Sequence, residues 1–205
     1  KGNLKYMRNY QPFNVDGLQN NYRYKCLAYE EWRDLYRQGQ LTDIQARFFE
    51  PRQVEALYDL SSDPYETTNL AEKPEYRDHL IEMRSLLGDW VRGMPDLSFY
   101  PENILHSLAF DNPIAFGQEH QEDIANLVDL ANLQLLPYSE ARQGISSSLA
   151  SEDPLSLYWG LIVCSTFGTE ASEFVQRIEE LCQHKDLLVR TRAAEFLGLT
   201  ALGNP

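Results

Sequence analysis

The chain has 205 residues, 43% of them hydrophobic, enough for one large domain or two modest ones that bury a core. Its formal charge of −13 is lopsided, with 13 Lys and Arg against 16 Asp and Glu in residues 1–100 but 5 against 15 in residues 101–205. The second half repels phosphate backbones and anionic lipid, so neither nucleic acid nor membrane is an expected partner.

Residues Leu4 to Tyr10 alternate large apolar with polar side chains and predict a half-buried strand, ended by Pro12 and the Asp16-Gly17 turn. From Tyr24 to Gln38 the period changes, placing Ala28, Trp32, Leu35 and Tyr36 on one face of a helix that Gly39 stops. A short helix comes next from Thr42 to Phe48, closed by Pro51. Val54 to Leu60 is the second strand candidate, free to pair with the first, and Ser61 to Pro64 is the turn after it. Beyond Pro74, Tyr76, Leu80, Met83, Leu87, Trp90 and Val91 recur at helical spacing until Gly93 and Pro95.

Asp96 to Gly117 holds Pro101, Pro113 and Gly117 and reads as a turn-rich connection, which sets expected domains of residues 1–103 and 104–205. Past it the pattern is helical throughout, over Gln121–Leu135, Ser139–Ala150, Pro154–Phe167, Ala171–His184 and Asp186–Leu202. The expected fold is therefore mainly α, a small α+β region with about two strands and then an all-α stack. The longest apolar run, Leu155 to Phe167, contains Ser, Tyr, Gly, Cys and Thr and fits a buried helix better than a membrane span. The chain opens at Lys1 without a positively charged, apolar leader, so any targeting peptide is expected upstream or removed.

Shifting the second half by 33 residues lays Asp153 on Asp186, Gly160 on Ala193, Leu161 on Ala194 and Ser165 on Gly198. Asp186-Leu-Leu-Val-Arg-Thr-Arg-Ala-Ala-Glu-Phe-Leu-Gly198 resembles the second helix of a HEAT repeat, with Asp as N-cap and Ala where helices approach. A HEAT-like stack and a plain helical bundle both accommodate this pattern.

The first hundred residues carry a more specific likeness. Val54-Glu-Ala-Leu-Tyr-Asp-Leu-Ser-Ser-Asp-Pro-Tyr-Glu-Thr-Thr-Asn-Leu-Ala71 resembles the "ELYDLxxDPxExxNLA" segment of the C-terminal subdomain of sulfatases, in which a strand leads through a turn into the last helix. Lys5-Tyr-Met-Arg-Asn9 is similar to the family's "KYIRN" strand, and Gln19–Lys25 with Tyr29–Tyr36 resembles an insertion of bacterial sulfatases. The resemblance runs to about residue 102 and implies a parent enzyme hydrolysing sulfate esters or N-sulfates, such as those of sulfated glycans, in the periplasm or outside the cell. It also implies calcium and a formylglycine in the catalytic domain, the principal partner of this region, and no cofactor within it.

The family's nucleophile lies in C-x-P-x-R or S-x-P-x-R, whereas here Cys26 precedes Leu27-Ala28-Tyr29, Cys164 precedes Ser165-Thr166-Phe167, and Cys182 precedes Gln183-His184-Lys185. Three cysteines without C-x-x-C spacing offer neither a disulfide framework nor a zinc knuckle, and Cys164 and Cys182 read as buried thiols. Asp111-Asn112 matches the family's later metal pair only superficially. His79, His106, His120 and His184 are scattered, and Ser146-Ser-Ser148 lacks the glycines of a nucleophile elbow and reads as a small-residue helix contact.

Catalytic and metal residues are thus expected to be none. The remaining candidates are Asn9, Tyr10, Asn20, Asn21, Tyr22 and Arg23, with Gln19 beside them, since aromatics interleaved with amides and Arg suit sugar hydroxyls and sulfate. The same residues also fit a polar loop that packs on a catalytic domain. The expected function is a non-catalytic sulfatase region that completes the fold and the rim of the substrate cleft. The alternative is an acidic HEAT-like module that binds a protein partner or self-associates.

Overall fold

The computed structural model describes residues 1–202. In chain order the elements are β1 (Leu4–Arg8), α1 (Leu27–Arg37), α2 (Asp43–Ala46), β2 (Glu55–Asp59), α3 (Arg77–Gly93), α4 (Glu102–Ile104), α5 (Pro113–Glu119), α6 (Gln121–Ala131), α7 (Tyr138–Leu149), α8 (Pro154–Phe167), α9 (Val175–Leu181) and α10 (Leu187–Leu202). The fold is mainly helical with one small α+β part, as the patterning predicts. Its contacts separate into two compact units, residues 1–76 and 77–205. No helix among the described residues is long and apolar enough to cross a membrane.

In the first unit β1 and β2 pair antiparallel, with Leu4 opposite Asp59, Tyr6 opposite Leu57 and Arg8 opposite Glu55. The buried residues of this ribbon are Ala56 and Leu57, adjacent in β2 and so on opposite faces, which means that both faces are covered there. Asn69 then fastens the chain to the strand it has just left. Its Oδ1 accepts from the amides of Leu57 (2.9 Å) and Ala71 (3.0 Å), and its Nδ2 donates to the Glu55 carbonyl (3.2 Å). The intervening turn is held by Asp63, which accepts from Thr67 Oγ1 and the Thr68 amide, so its carboxyl lies below its ordinary value.

Helix α1 starts later than its periodicity predicts. Asn20 Oδ1 takes the amides of Tyr22 and Arg23, which closes a 3-10 turn over Arg23–Lys25, and Cys26 is extended before the α-helix begins. Its contact stripe is also rotated relative to expectation: Tyr29, Trp32 and Tyr36 meet Phe48 and Phe49, while Ala28 is exposed. Trp32 stacks on Phe48 at 4.5 Å and Tyr36 on Phe49 at 4.7 Å between ring centres. Gly17 lies so close to Phe49 that a Cβ there would fall 2.4 Å from its Cδ1.

The second unit departs from expectation between α3 and α5. Asp96 to Gly117 is not a loop but a series of short helical turns, comprising a 3-10 turn at Leu97–Phe99, α4, a π turn at Leu105–Ala109, and the first residues of α5. The prolines that look like breakers are starters: Pro113 occupies the first turn of α5, whose Asn112 side chain accepts the Ala115 amide at 3.1 Å. The amide of the Asp111-Asn112 pair thus serves as a helix cap.

Helix α8 organises the rest of the unit. Leu157, Trp159, Gly160, Leu161, Ile162, Val163, Cys164 and Ser165 are all buried, since α6, α7 and α10 cover it on separate sides. Trp159 Nε1 donates to the Phe99 carbonyl at 2.9 Å while the two rings lie 5.3 Å apart, which ties the short turns to the core. Helices α6, α8 and α10 begin at Gln121, Pro154 and Leu187, 33 residues apart each time. Asp153 accepts from the amides of Leu155 and Ser156, and Asp186 from those of Leu188 and Val189, so the two aspartates cap equivalent helices. Leu127, Gly160 and Ala193 share one repeat position, and all three are buried.

The period does not extend to the other helices: α9 is short, and Gly168–Phe174 before it is a 3-10 segment. Arg142 and Tyr138 of α7 reach that segment and share the Glu173 carboxylate, with Arg142 Nε to Oε1 at 2.7 Å and Tyr138 Oη to Oε1 at 2.6 Å. The guanidinium, then the phenol, hold Glu173 at about 2 against an ordinary 4.5.

Two measurements check this packing. A Cβ on Gly160 would meet Ser148 Oγ at 2.1 Å, so Gly160→Ala lowers unfolding free energy in a denaturant titration by about 1–3 kcal/mol, and Ser148→Gly in the same chain recovers part of it. Glu173 is depressed in the folded state, so its contribution is present above the unfolded value near 4.5 and is lost as pH falls toward 2. Glu173→Gln flattens the fall in stability across that window, read by melting temperature against pH.

Candidate functional site

Of the sequence-selected residues at the head of the first unit, Asn9, Asn20 and Arg23 bond backbone groups of the chain. The Asn9 amide donates to the Val54 carbonyl at 2.8 Å, extending the strand pairing by one residue beyond β1, and its Nδ2 donates to the Gln53 carbonyl at 2.7 Å. Tyr10 Oη accepts from Arg8 Nη1 at 3.4 Å. Asn20 closes the 3-10 turn that precedes α1, and Asn21 Oδ1 accepts from Gln19 Nε2 at 3.3 Å. Arg23 donates to the Asp16 carbonyl and lies over the rings of Phe48 and Tyr29 at 5.3 and 5.9 Å. Tyr22 is different, being 87% exposed. Arg33 joins the group from α1, donating to Gln19 Oε1 at 3.0 Å and lying 4.1 Å from the Tyr24 ring centre.

One concave feature of this unit lies beside the loop. A groove of about 610 Å³ is lined by Asn9, Asp16, Arg47, Glu50, Arg52 and Asn69, among others. Asn9 is the one sequence-selected residue in its lining; Tyr10, Asn20, Asn21, Tyr22 and Arg23 lie outside it. The groove's two guanidiniums are not legible as a pair in the sequence. Arg47 comes directly after a four-residue helix, with Nη1 donating to the Thr67 carbonyl at 2.6 Å, and Arg52 bonds Asp16 Oδ1 from across a 36-residue separation. Each retains donors beyond those contacts, and a planar guanidinium fork matches a carboxylate or sulfate group.

Among the described residues no three His, Cys, Asp or Glu side chains gather as a group that could hold a metal ion. Cys164 is fully buried, and burial pushes its thiol up to about 12, so it stays protonated at neutral pH. Cys182 is half-buried rather than buried as its context predicts, and Cys26 is exposed. Of the three serines at 146–148, Ser148 is buried over Gly160 and donates to the Ile145 carbonyl at 2.8 Å, a helix contact as its size predicts.

Comparison with known proteins gives one informative likeness. Over 103 residues, half of this chain, the sequence is 36% identical to a protein of Formosa agariphila named Ulvan-active sulfatase. The chain carries a sulfatase-related region. The aligned segment spans 17% of that relative's length. No protein-family model and no solved structure matches the chain.

Asn69 is the residue of the sulfatase-like string with the clearest physical duty. Asn69→Ala removes the side-chain partner of three backbone groups, the Leu57 and Ala71 amides and the Glu55 carbonyl, and lowers the stability of the first unit by roughly 2–3 kcal/mol. Asn69→Asp, which keeps the acceptor but loses the donor to Glu55, is expected to fall between the two in denaturant unfolding.

Proposed function

We propose that this chain is the non-catalytic C-terminal region of a sulfatase, comprising the family's second subdomain and a HEAT-like helical extension. The observation that carries the reading is the 36% identity over 103 residues to a protein named as a sulfatase. The Val54–Ala71 string supports it, since its Asp and Asn residues hold a strand, a turn and the approach to a helix rather than converging on a reaction centre. The helical extension is supported by the common 33-residue spacing of α6, α8 and α10 and by the capping aspartates that α8 and α10 share.

In this reading the principal partner is the parent's catalytic domain, which supplies the nucleophile and calcium, and the parent cleaves sulfate esters or N-sulfates, including those of sulfated glycans. The chain's share is positional. Arg47 and Arg52 present guanidinium donors to an anionic group of the substrate, and Asn9, Tyr10, Asn20, Asn21, Tyr22 and Arg23 form the neighbouring rim. Asp16 and Glu50 in the same groove keep it from binding anions indiscriminately, because an incoming anion must compete with Asp16 for Arg52.

Calorimetric titration with a sulfated oligosaccharide tests the proposal. Binding is expected with the intact chain, weakened about tenfold in Arg47→Ala, as loss of one charge-assisted contact implies. The desulfated oligosaccharide is expected to bind more weakly than the sulfated one. Equal affinity for both, or no effect of Arg47→Ala, contradicts the rim assignment.

A further inference from the structure

We propose that a groove on the helical unit docks a partner protein through a linear segment whose lysine or arginine is flanked by apolar side chains. The groove has a volume of about 490 Å³ and is lined by residues from Tyr100 to Asp186, with no lysine or arginine among them. It is separate from the guanidinium-bearing groove of the first unit, and its chemistry stands whether or not the sulfatase reading holds.

Three kinds of side chain meet there. Tyr100, Phe116 and His120 form an aromatic wall, with Phe116 stacked on His120 at 4.0 Å and Tyr100 edge-on to Phe116 at 5.3 Å. His120 Nδ1 lies 2.9 Å from the Phe116 carbonyl, which can only accept, so that nitrogen carries the proton. Asp123, Asp153 and Asp186 supply the carboxylates. Leu108, 67% exposed, and Leu155 provide apolar surface beside them. Aromatic faces and carboxylates together favour an ammonium or guanidinium, and the leucines favour apolar neighbours of that cation.

The repeat itself arranges the charges. His120, Asp153 and Asp186 stand immediately before α6, α8 and α10, so the 33-residue spacing brings three equivalent positions to one groove. Asp153 and Asp186 are fixed there by their capping bonds. Burial pushes the Tyr100 phenol up, and the Asp123 and Asp153 carboxylates push it further, which places their negative potential at the aromatic wall.

Charge selects among occupants. A second copy brings a half with 15 acidic against 5 basic residues and is repelled. Nucleic acid and anionic lipid are repelled in the same way. A small organic cation satisfies the carboxylates but leaves Leu108 uncovered.

A displayed library of random linear peptides, selected on the immobilised 205-residue chain, tests the proposal. Enriched sequences are expected to hold Lys or Arg beside apolar residues. The corresponding synthetic peptide is expected to bind about tenfold more weakly to the triple variant Asp123→Asn, Asp153→Asn, Asp186→Asn, because three surface charges are removed while Asn preserves the caps. Leu108→Ser is expected to weaken it severalfold, and that variant carries the test should the triple variant fail to melt cooperatively. The control Glu140→Gln, Glu170→Gln, Glu179→Gln, which removes the same charge elsewhere, is expected to change binding by less than about twofold. Enrichment of acidic or uncharged sequences, no enrichment, an equal loss in the control, or binding of free lysine amide as tight as the peptide overturns the proposal.

Discussion

From Trp159 to Ser165 helix α8 is buried on every side, and the architecture of the second unit depends on that. A helix apolar on all sides must be enclosed, so α6, α7 and α10 are needed around it, and the turns at Leu97–Phe99 are drawn in by Trp159. Burying Leu157, Leu161, Ile162 and Val163 contributes about 1.5–3 kcal/mol each, more than the caps and surface ion pairs of the unit supply individually. The cost is geometric: Gly160 leaves no room for a side chain over Ser148, and Ala193 occupies the equivalent place in α10. One crowded helix thereby fixes the spacing of its neighbours, and through them the placement of the capping aspartates.

The elements with strong hydrophobic period are legible in the sequence. Both strands, α3 and α6 come from alternation or helical spacing, whereas α8 is legible as an apolar run and α10 through its aspartate cap and HEAT-like string. The features hidden from such patterning depend on side chains acting on backbone. Asn20 delays α1 by closing a 3-10 turn, and Pro113 with Asn112 begins a helix where composition reads as linker. Phe99, Tyr100, Ala109 and Phe116 sit in that same stretch, so four core residues fall where composition indicates a loop. The repeat is visible in sequence as only two copies because α6 lacks an aspartate cap; His120 occupies that position instead.

The candidate site divides in the same way. Aromatic, amide and Arg composition marks the loop from Asn9 to Arg23, but composition does not report which donors are already spent on the protein itself. Asn20 and Arg23 bond backbone, while Arg47 and Arg52, which look like ordinary surface residues in sequence, reach one groove through long-range contacts. The two units therefore present opposite chemistry, guanidinium-bearing concavity in the first and carboxylate-bearing concavity in the second. In the proposed role such a region recognises and positions, and the reaction belongs to the catalytic domain.

That division makes turnover the most direct measurement. The purified chain is incubated with a fluorogenic aryl sulfate and calcium, and release is compared with a protein-free control. No release above the control is expected at any chain concentration. Release that rises in proportion to the chain, and persists after repurification, contradicts the non-catalytic role.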